Sequence, residues 1–437
     1  MAKQKDVSPA RRAAFEILRR VADGAFSSVL LAADNPCLKA SDRALAHELV
    51  LGVLRWQLLL DKLVEHFSKR RMESLDLAVR IALRLALYQL RFLDRIPASA
   101  AVNESVNLVR SAKLSSAAAF VNAVLRRAIR EADYDPTTEA KDTVEKIAIE
   151  TSHPTWLIDR WMKAFAPNEA EAFARANIEV PPTAFRIVRT RANEDEIVQQ
   201  LNAAGASVER SVIAENAFRI SGAPALLREL SHAGQIYLQD EASQLVPQLL
   251  DARPGDRVLD LCAAPGGKTT LLAERAGDSS LVIAADRSAT RMTTITTTAA
   301  LHQLSNINPV LLDAGDKLPF APQSFDRVLV DAPCSGTGTL RRNPEIRWRL
   351  TNDDIPNFAA GQKQFLHNAA EVVKPGGRLV YSTCSVEREE NEEVIADFLN
   401  THPDFTQVKT LRTWPHHEGS DGFFIAVLER RETSIKT

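Results

Sequence analysis

Cysteine is scarce in this chain, with four residues, Cys37, Cys262, Cys334 and Cys384, among 437. They lie far apart, without a Cys-x-x-Cys pair or a histidine at zinc spacing, which argues against a disulfide framework and against a metal site. A reducing cytoplasm is the expected home, where a thiol matters only through its reactivity. Long apolar runs are missing as well. The most apolar stretch, Leu75 to Leu93, is broken by Arg80, Arg84 and Arg91, so no membrane span is expected. The N-terminus lacks the uninterrupted apolar core of a signal peptide. A phosphate-loop glycine is absent too: Gly267-Lys268-Thr269 would need a glycine at the position of Cys262, which weakens an ATPase reading.

What is present is ordinary soluble composition, 45% hydrophobic and 25% charged, enough for roughly two to four domains. The formal net charge of -2 conceals an asymmetry. Residues 1–130 hold 22 Lys+Arg against 12 Asp+Glu, an excess of ten that leaves the remainder at -12. A basic front of this kind suits a polyanionic partner, and equally a set of solvated helix faces.

The first 133 residues or so read as helices rich in Ala, Leu and Arg, broken at Gly24, Pro36, Gly52 and Pro97. Within Leu75 to Leu93 the three arginines fall on one narrow face, which predicts a surface for phosphates. Tyr134 to Glu145 reads as a linker. From Pro182 to Gly222 a strand (Ala184 to Arg189), a helix (Glu194 to Ala204), a turn at Gly205 and a strand (Ala217 to Ile220) predict a small α/β module.

Beyond Gly234, strands alternate with helices: Val258 to Asp260, Leu281 to Asp286, Asn308 to Leu312, Arg327 to Asp331, Arg378 to Thr383 and Phe423 to Leu428. This alternation predicts a mostly parallel sheet covered by helices, with ligands at the carboxyl ends of its strands. Those ends carry Asp260, Asp286, Asp313, Asp331 with Cys334, and Thr383 with Cys384. Val258 to Thr269 forms a strand, a tight glycine loop and a helix start, a corner suited to S-adenosylmethionine. Asp286, about twenty residues on, is placed to accept from ribose hydroxyls. Asp313, or the nearby Asp316, is placed for the adenine amino group. Two thiols at two strand ends, converging on one pocket, point to methylation of a pyrimidine carbon, because C5 becomes nucleophilic only after a thiolate adds at C6. Cys37 and Cys262 read as small inert hydrophobes.

Two resemblances follow from these residues. Arg43-Ala-Leu-Ala-His-Glu-Leu-Val-Leu-Gly-Val-Leu-Arg55, Val102-Asn-Glu-Ser-Val106 and Phe120-Val-Asn-Ala-Val-Leu-Arg126 resemble the NusB-type RNA-binding helical domain, with Asn103 and Asn122 expected to bond backbone at helix starts. Gln239-Asp-Glu-Ala-Ser243, Leu261-Cys-Ala-Ala-Pro-Gly-Gly-Lys-Thr269, Asp331-Ala-Pro-Cys-Ser-Gly-Thr-Gly338, Arg341-Arg-Asn-Pro344, Tyr381-Ser-Thr-Cys-Ser385 and Asp421-Gly-Phe-Phe424 resemble the RNA (cytosine-5)-methyltransferases of the bacterial Sun/RsmB type. The resemblance implies a NusB-like all-α domain over 1–140, linker helices and a small α/β RNA-binding module over 141–235, and a Rossmann-like α/β methyltransferase domain over 236–437. It implies S-adenosylmethionine as cofactor, held by Cys262, Ala263, Ala264, Pro265, Gly266, Gly267 and Lys268 with Asp286, Asp313 and Asp331. It implies Cys384 as the attacking thiol, Cys334 as the aid to product release and Asp331 at the target base, with no metal. DNA enzymes of related chemistry use the Pro-Cys thiol instead, which here is Cys334. The implied partner is 16S ribosomal RNA, free or in an assembly intermediate, with no obligatory protein partner.

Overall fold

The computed structural model describes residues 7–32 and 38–432; Cys37 and Pro36 lie outside them. The chain forms two compact units, one from the N-terminal chain up to Val180 with Leu340–Arg349, the other from Pro181–Thr339 and Leu350 onward.

The first unit is helical. Pro9–Ala22, Ala40–Arg55, Gln57–Ser68, Leu77–Phe92, Ala98–Ser111 and Ala118–Arg130 surround one core that includes Phe15, Leu49, Leu60, Leu83, Val109 and Val121. Leu77–Phe92 is its axis: Asp76 caps it by accepting from Ala78 N at 2.8 Å, and apolar side chains are buried on almost every side of it. Tyr134 to Glu145 is less open than a linker, since it holds the turn Pro136–Glu139 and starts the helix Thr143–Glu150. Asn103 and Asn122 lie inside helices rather than at their starts, and Asn122 accepts from Arg126 Nε at 3.3 Å. Leu340–Arg349 is bound into this unit through Glu345, which accepts from Ser27 N at 2.8 Å, and through the buried Arg347, which donates to the carbonyls of Ser152 and Asn177, each at 3.1 Å.

The arginine stripe on Leu77–Phe92 is not a free phosphate surface. Arg84 makes a two-pronged pair with Asp61, at 2.6 and 2.8 Å, and both side chains are largely buried. Arg80 has its Nε buried, and Arg91 donates to the backbone carbonyls of Ala132 and Tyr134.

The second unit holds two sheets. Strands β1 (Thr183–Ile187), β2 (Ser207–Arg210), β3 (Ala217–Ser221) and β4 (Ile236–Leu238) form an antiparallel sheet in the order β2-β3-β1-β4. Strands β5 (Arg257–Leu261), β6 (Leu281–Asp286), β7 (Ile307–Leu311), β8 (Phe325–Asp331), β9 (Val373–Thr383), β10 (Phe405–Thr413) and β11 (Phe423–Arg430) form the larger one in the order β10-β11-β9-β8-β5-β6-β7. The strands β5 to β9 run parallel to one another, and β11 lies antiparallel between β9 and β10. The strand order reverses between β5 and β8, where open α/β sheets open a crevice at their carboxyl ends. β10, an edge strand with an exposed middle, is not foreseen from the sequence.

Removing Arg84 leaves the Asp61 carboxyl buried without its cation, at a cost of about 3 kcal/mol. Urea denaturation of Arg84→Gln should show that loss, with the salt dependence of RNA binding unchanged. Parent-like stability with a flatter salt dependence would return this residue to the RNA surface.

Candidate active site

β5 buries Val258, Leu259 and Leu261, and near its end it brings Asp260, fully buried, to the edge of the crevice. The loop that follows turns sharply, with Cys262 at φ 63° and Gly266 at φ 104°. Gly266 is suited to this left-handed backbone, and Gly267 has no room for more: a Cβ there would stand 2.8 Å from the Tyr237 ring. Thr269, in the helix Gly267–Ala276, donates to Asp260 Oδ2 at 2.6 Å.

Cys262, Ala263, Ala264, Pro265, Gly267 and Lys268 line a cleft of about 210 Å³ together with Asp260 and Asp331. Its remaining wall is Tyr237, Leu238, Gln239 and Ser243, from the end of β4 and the start of the following helix. The sequence marks Gln239-Asp240-Glu241-Ala242-Ser243 as a motif without assigning it to this wall. Tyr237 carries no signal beyond its place before that motif. Gly266 sits within the loop behind the lining, its ideal Cβ position 3.3 Å from Ile295.

Asp286 and Asp313 do not line the cleft. Asp286 braces the loop from behind, accepting from Ala264 N at 3.1 Å and Ser288 N at 2.9 Å, with Arg291 3.7 Å away. Asp313 is exposed just past β7 and accepts from Gly315 N at 2.9 Å; Asp316 is also exposed.

Asp331 ends β8 and is held on both oxygens, by Lys268 Nζ at 2.8 Å and by Ser382 Oγ at 2.7 Å. The two loops that follow β8 and β9 carry Cys334 and Cys384, whose sulfurs are 3.4 Å apart. Behind them is the buried carboxylate of Glu390, which in the sequence is hidden within a charged run. Gln362, in the helix Asp354–Val372, carries no sequence signal either; it donates to Pro333 O and to Glu390 Oε1, both at 2.9 Å.

The electrostatics differ from group to group. Burial pushes the Asp260 carboxyl up to about 7, and Thr269 only partly opposes it. Burial also raises the Cys262 thiol, as the inert reading of this residue requires. Burial works against the Lys268 ammonium, but Asp331, helped by Cys384 and Asp260, outweighs it and holds the group above its ordinary value. The Cys334 thiol is raised first by its hydrogen bond with Cys384, then by burial and by the charges of Cys384 and Glu390.

Two buried acceptors at this cleft, Asp260 Oδ1 and Gln239 Oε1, have no partner among the described residues. S-adenosylmethionine, with an ammonium group and ribose hydroxyls to donate, fits such a lining.

Known proteins place the chain in context. The profile of the family described as 16S rRNA methyltransferase RsmB/F matches residues 247–429, that of the NusB family 8–130, and that of an RsmF/B-like ferredoxin-like domain 153–226. A probable ribosomal RNA small subunit methyltransferase B of Bacillus subtilis is 35% identical over 93% of this chain and 95% of its own. Ribosomal RNA small subunit methyltransferase B of Pseudomonas putida is 36% identical over 89% of this chain and 90% of its own. The crystal structure of PH0851 is similar at TM-score 0.85 and 30% identity, covering 97% of this chain and 99% of that one. The structure of a methyltransferase homolog protein from Pyrococcus horikoshii covers 67% of this chain and 100% of its own, at TM-score 0.59 and 28% identity.

Asp260 generates a pH prediction for the ligand-free protein. Its folded value of about 7 lies above that of an unfolded aspartate, so the folded state holds the extra proton between the two values. The stabilisation it gives is complete below about pH 4 and is lost as pH rises through about 7, a span worth on the order of 4 kcal/mol. Melting curves across this window should fall more steeply for the parent than for Asp260→Asn. Parallel curves would contradict the shift.

Proposed function

This chain belongs to the RsmB/F family of S-adenosylmethionine-dependent ribosomal RNA methyltransferases, and from that premise we propose that it methylates C5 of a cytosine in 16S ribosomal RNA through a covalent cysteine adduct. The observation that carries the reading is the pair of thiols 3.4 Å apart beside the Lys268 and Asp331 ion pair. Methylation of nitrogen or oxygen gives two such thiols no task, whereas activation of C5 needs one to add at C6 and a base to finish the reaction.

The surroundings favour unequal roles. Asp331 chiefly, and Cys384 after it, hold the Lys268 ammonium above its ordinary value against burial, so the cation stands beside that sulfur. Cys334 is held above its ordinary value first by its hydrogen bond with Cys384, then by burial, with the charges of Cys384 and Glu390 adding to both. The attack on C6 falls to Cys384, which gives up its thiol proton to water as the carbon–sulfur bond forms, while the electron pair of the C5–C6 double bond moves toward C5 and the ring nitrogen, with Asp331 placed at the target base. Bound against Cys262–Lys268, Asp260 and Gln239, S-adenosylmethionine supplies an electrophilic methyl group for the activated carbon. Once Cys384 is bonded to carbon, it no longer shares a hydrogen bond with Cys334. That bond is the largest cause of Cys334's raised value, so its loss lets Cys334 release its own proton to water and, as the thiolate, take the C5 proton. Removal of that proton re-forms the double bond and expels Cys384.

A base inside a helix cannot reach this pocket, so the substrate must present an unstacked cytosine. The helical unit offers an RNA-binding surface in Lys69, Arg70, Arg71 and Arg126, all exposed, with Arg70 5.0 Å above the Phe120 ring.

Two outcomes are expected. Cys384→Ala should abolish methylation and give no adduct, while Cys334→Ala should accumulate protein covalently linked to RNA, seen as a retarded band on denaturing gels. The opposite pattern would exchange the two roles. Replacing Lys69, Arg70 and Arg126 by glutamine should reduce the slope of log affinity against log salt by about 0.7 to 0.9 for each phosphate that is no longer neutralised. An unchanged slope would move the RNA-binding surface elsewhere.

A further inference from the structure

The residue after each thiol is a serine, and both serines bind one carboxylate. Glu390 Oε1 accepts from Ser335 N at 2.8 Å and from Gln362 Nε2 at 2.9 Å. Its Oε2 accepts from Ser385 Oγ at 2.5 Å and from Ser335 Oγ, and the two hydroxyl oxygens are 3.0 Å apart. Four donors from three segments thus converge on a single buried side chain. The backbone around it is equally fixed: Tyr381 donates to Glu390 O at 2.6 Å, and Asn391 accepts from Thr383 Oγ1 at 2.6 Å while donating to Ser385 O at 2.9 Å.

We propose that Glu390 is the positioning residue of the two-thiol centre, fixing the spacing of Cys334 and Cys384 by gripping the serine that follows each. The assignment of tasks to the thiols rests on the reading above; the grip itself does not. A carboxylate suits the position because it only accepts, with lone pairs for all four donors. Its charge also has a direction of action, since an anion near Cys334 adds to the hydrogen bond with Cys384 and to burial in holding that thiol protonated.

Two substitutions separate the grip from the charge. Glu390→Gln keeps the shape and can keep the bonds, because serine hydroxyls rotate to accept from an amide, but it removes the charge. Glu390→Ala removes both. With the full-length protein, kcat and the KM values for RNA and S-adenosylmethionine are measured alongside the pH profile of iodoacetamide labelling at each cysteine, read by peptide mass spectrometry. Glu390→Ala should lower kcat on the order of a hundredfold, with both KM values within about twofold of the parent, as expected from misplaced reacting groups. Glu390→Gln should fall between the two and label Cys334 at lower pH than the parent. Labelling needs neither RNA nor cofactor, so it tests Glu390 even if no adduct ever forms and even if Glu390→Ala fails to fold. A folded Glu390→Ala protein with parental kcat would overturn the grip, and a Glu390→Gln protein with a parental Cys334 profile would overturn the action of the charge. A loss confined to KM would also overturn the grip.

Discussion

Parallel pairing of β8 with β9, with Asp331 opposite Ser382, is the constraint on which the site depends. Parallel strands end on the same side of a sheet, so the chain leaving each strand enters the same crevice. That is why two cysteines 50 residues apart in sequence stand 3.4 Å apart. The same register lets Ser382 hold one oxygen of Asp331 while Lys268, arriving from the β5 loop, holds the other. Slipping the register by one residue would turn Asp331 and the apolar residues before it to the wrong face, so core packing and site geometry are enforced together.

The second layer of control is electrostatic. Lys268 and Asp331 form a half-buried pair, where geometry and accompanying hydrogen bonds decide whether the charges are tolerated. Glu390 is buried more deeply, and its four donors replace the water it has lost. Beside these charges, the Cys334 thiol is raised first by its hydrogen bond with Cys384 and then by burial. Ligand-binding acceptors follow the same logic, since Asp260 and Gln239 each keep an unsatisfied oxygen at the cleft.

Much of this is legible in the sequence, for physical reasons. Central parallel strands are continuous apolar runs, so Val258 to Asp260 and Arg327 to Asp331 are located within a residue or two, and the polar residues ending them mark the crevice. β10 is not legible because an edge strand with one covered flank carries too few apolar residues to alternate. Helical spacing places Arg80, Arg84 and Arg91 on one face, but nothing local reveals that Asp61, on another helix, takes Arg84. Spacing locates Asp286 at its strand end, yet not that backbone amides occupy both its oxygens. Glu390 lies in the run Glu387-Arg-Glu-Glu-Asn-Glu-Glu393, which reads as a solvated surface; only the fold selects the one glutamate that faces both thiol loops.

The central claim is that the paired thiols activate C5 of a cytosine. Its most direct test uses 16S ribosomal RNA transcribed with [5-³H]cytidine and incubated with the protein and S-adenosylmethionine. The account predicts tritium released into water in step with methylation, and 5-methylcytidine as the modified nucleoside after digestion. Methylated RNA that retains its tritium and yields an N- or O-methylated nucleoside would contradict it.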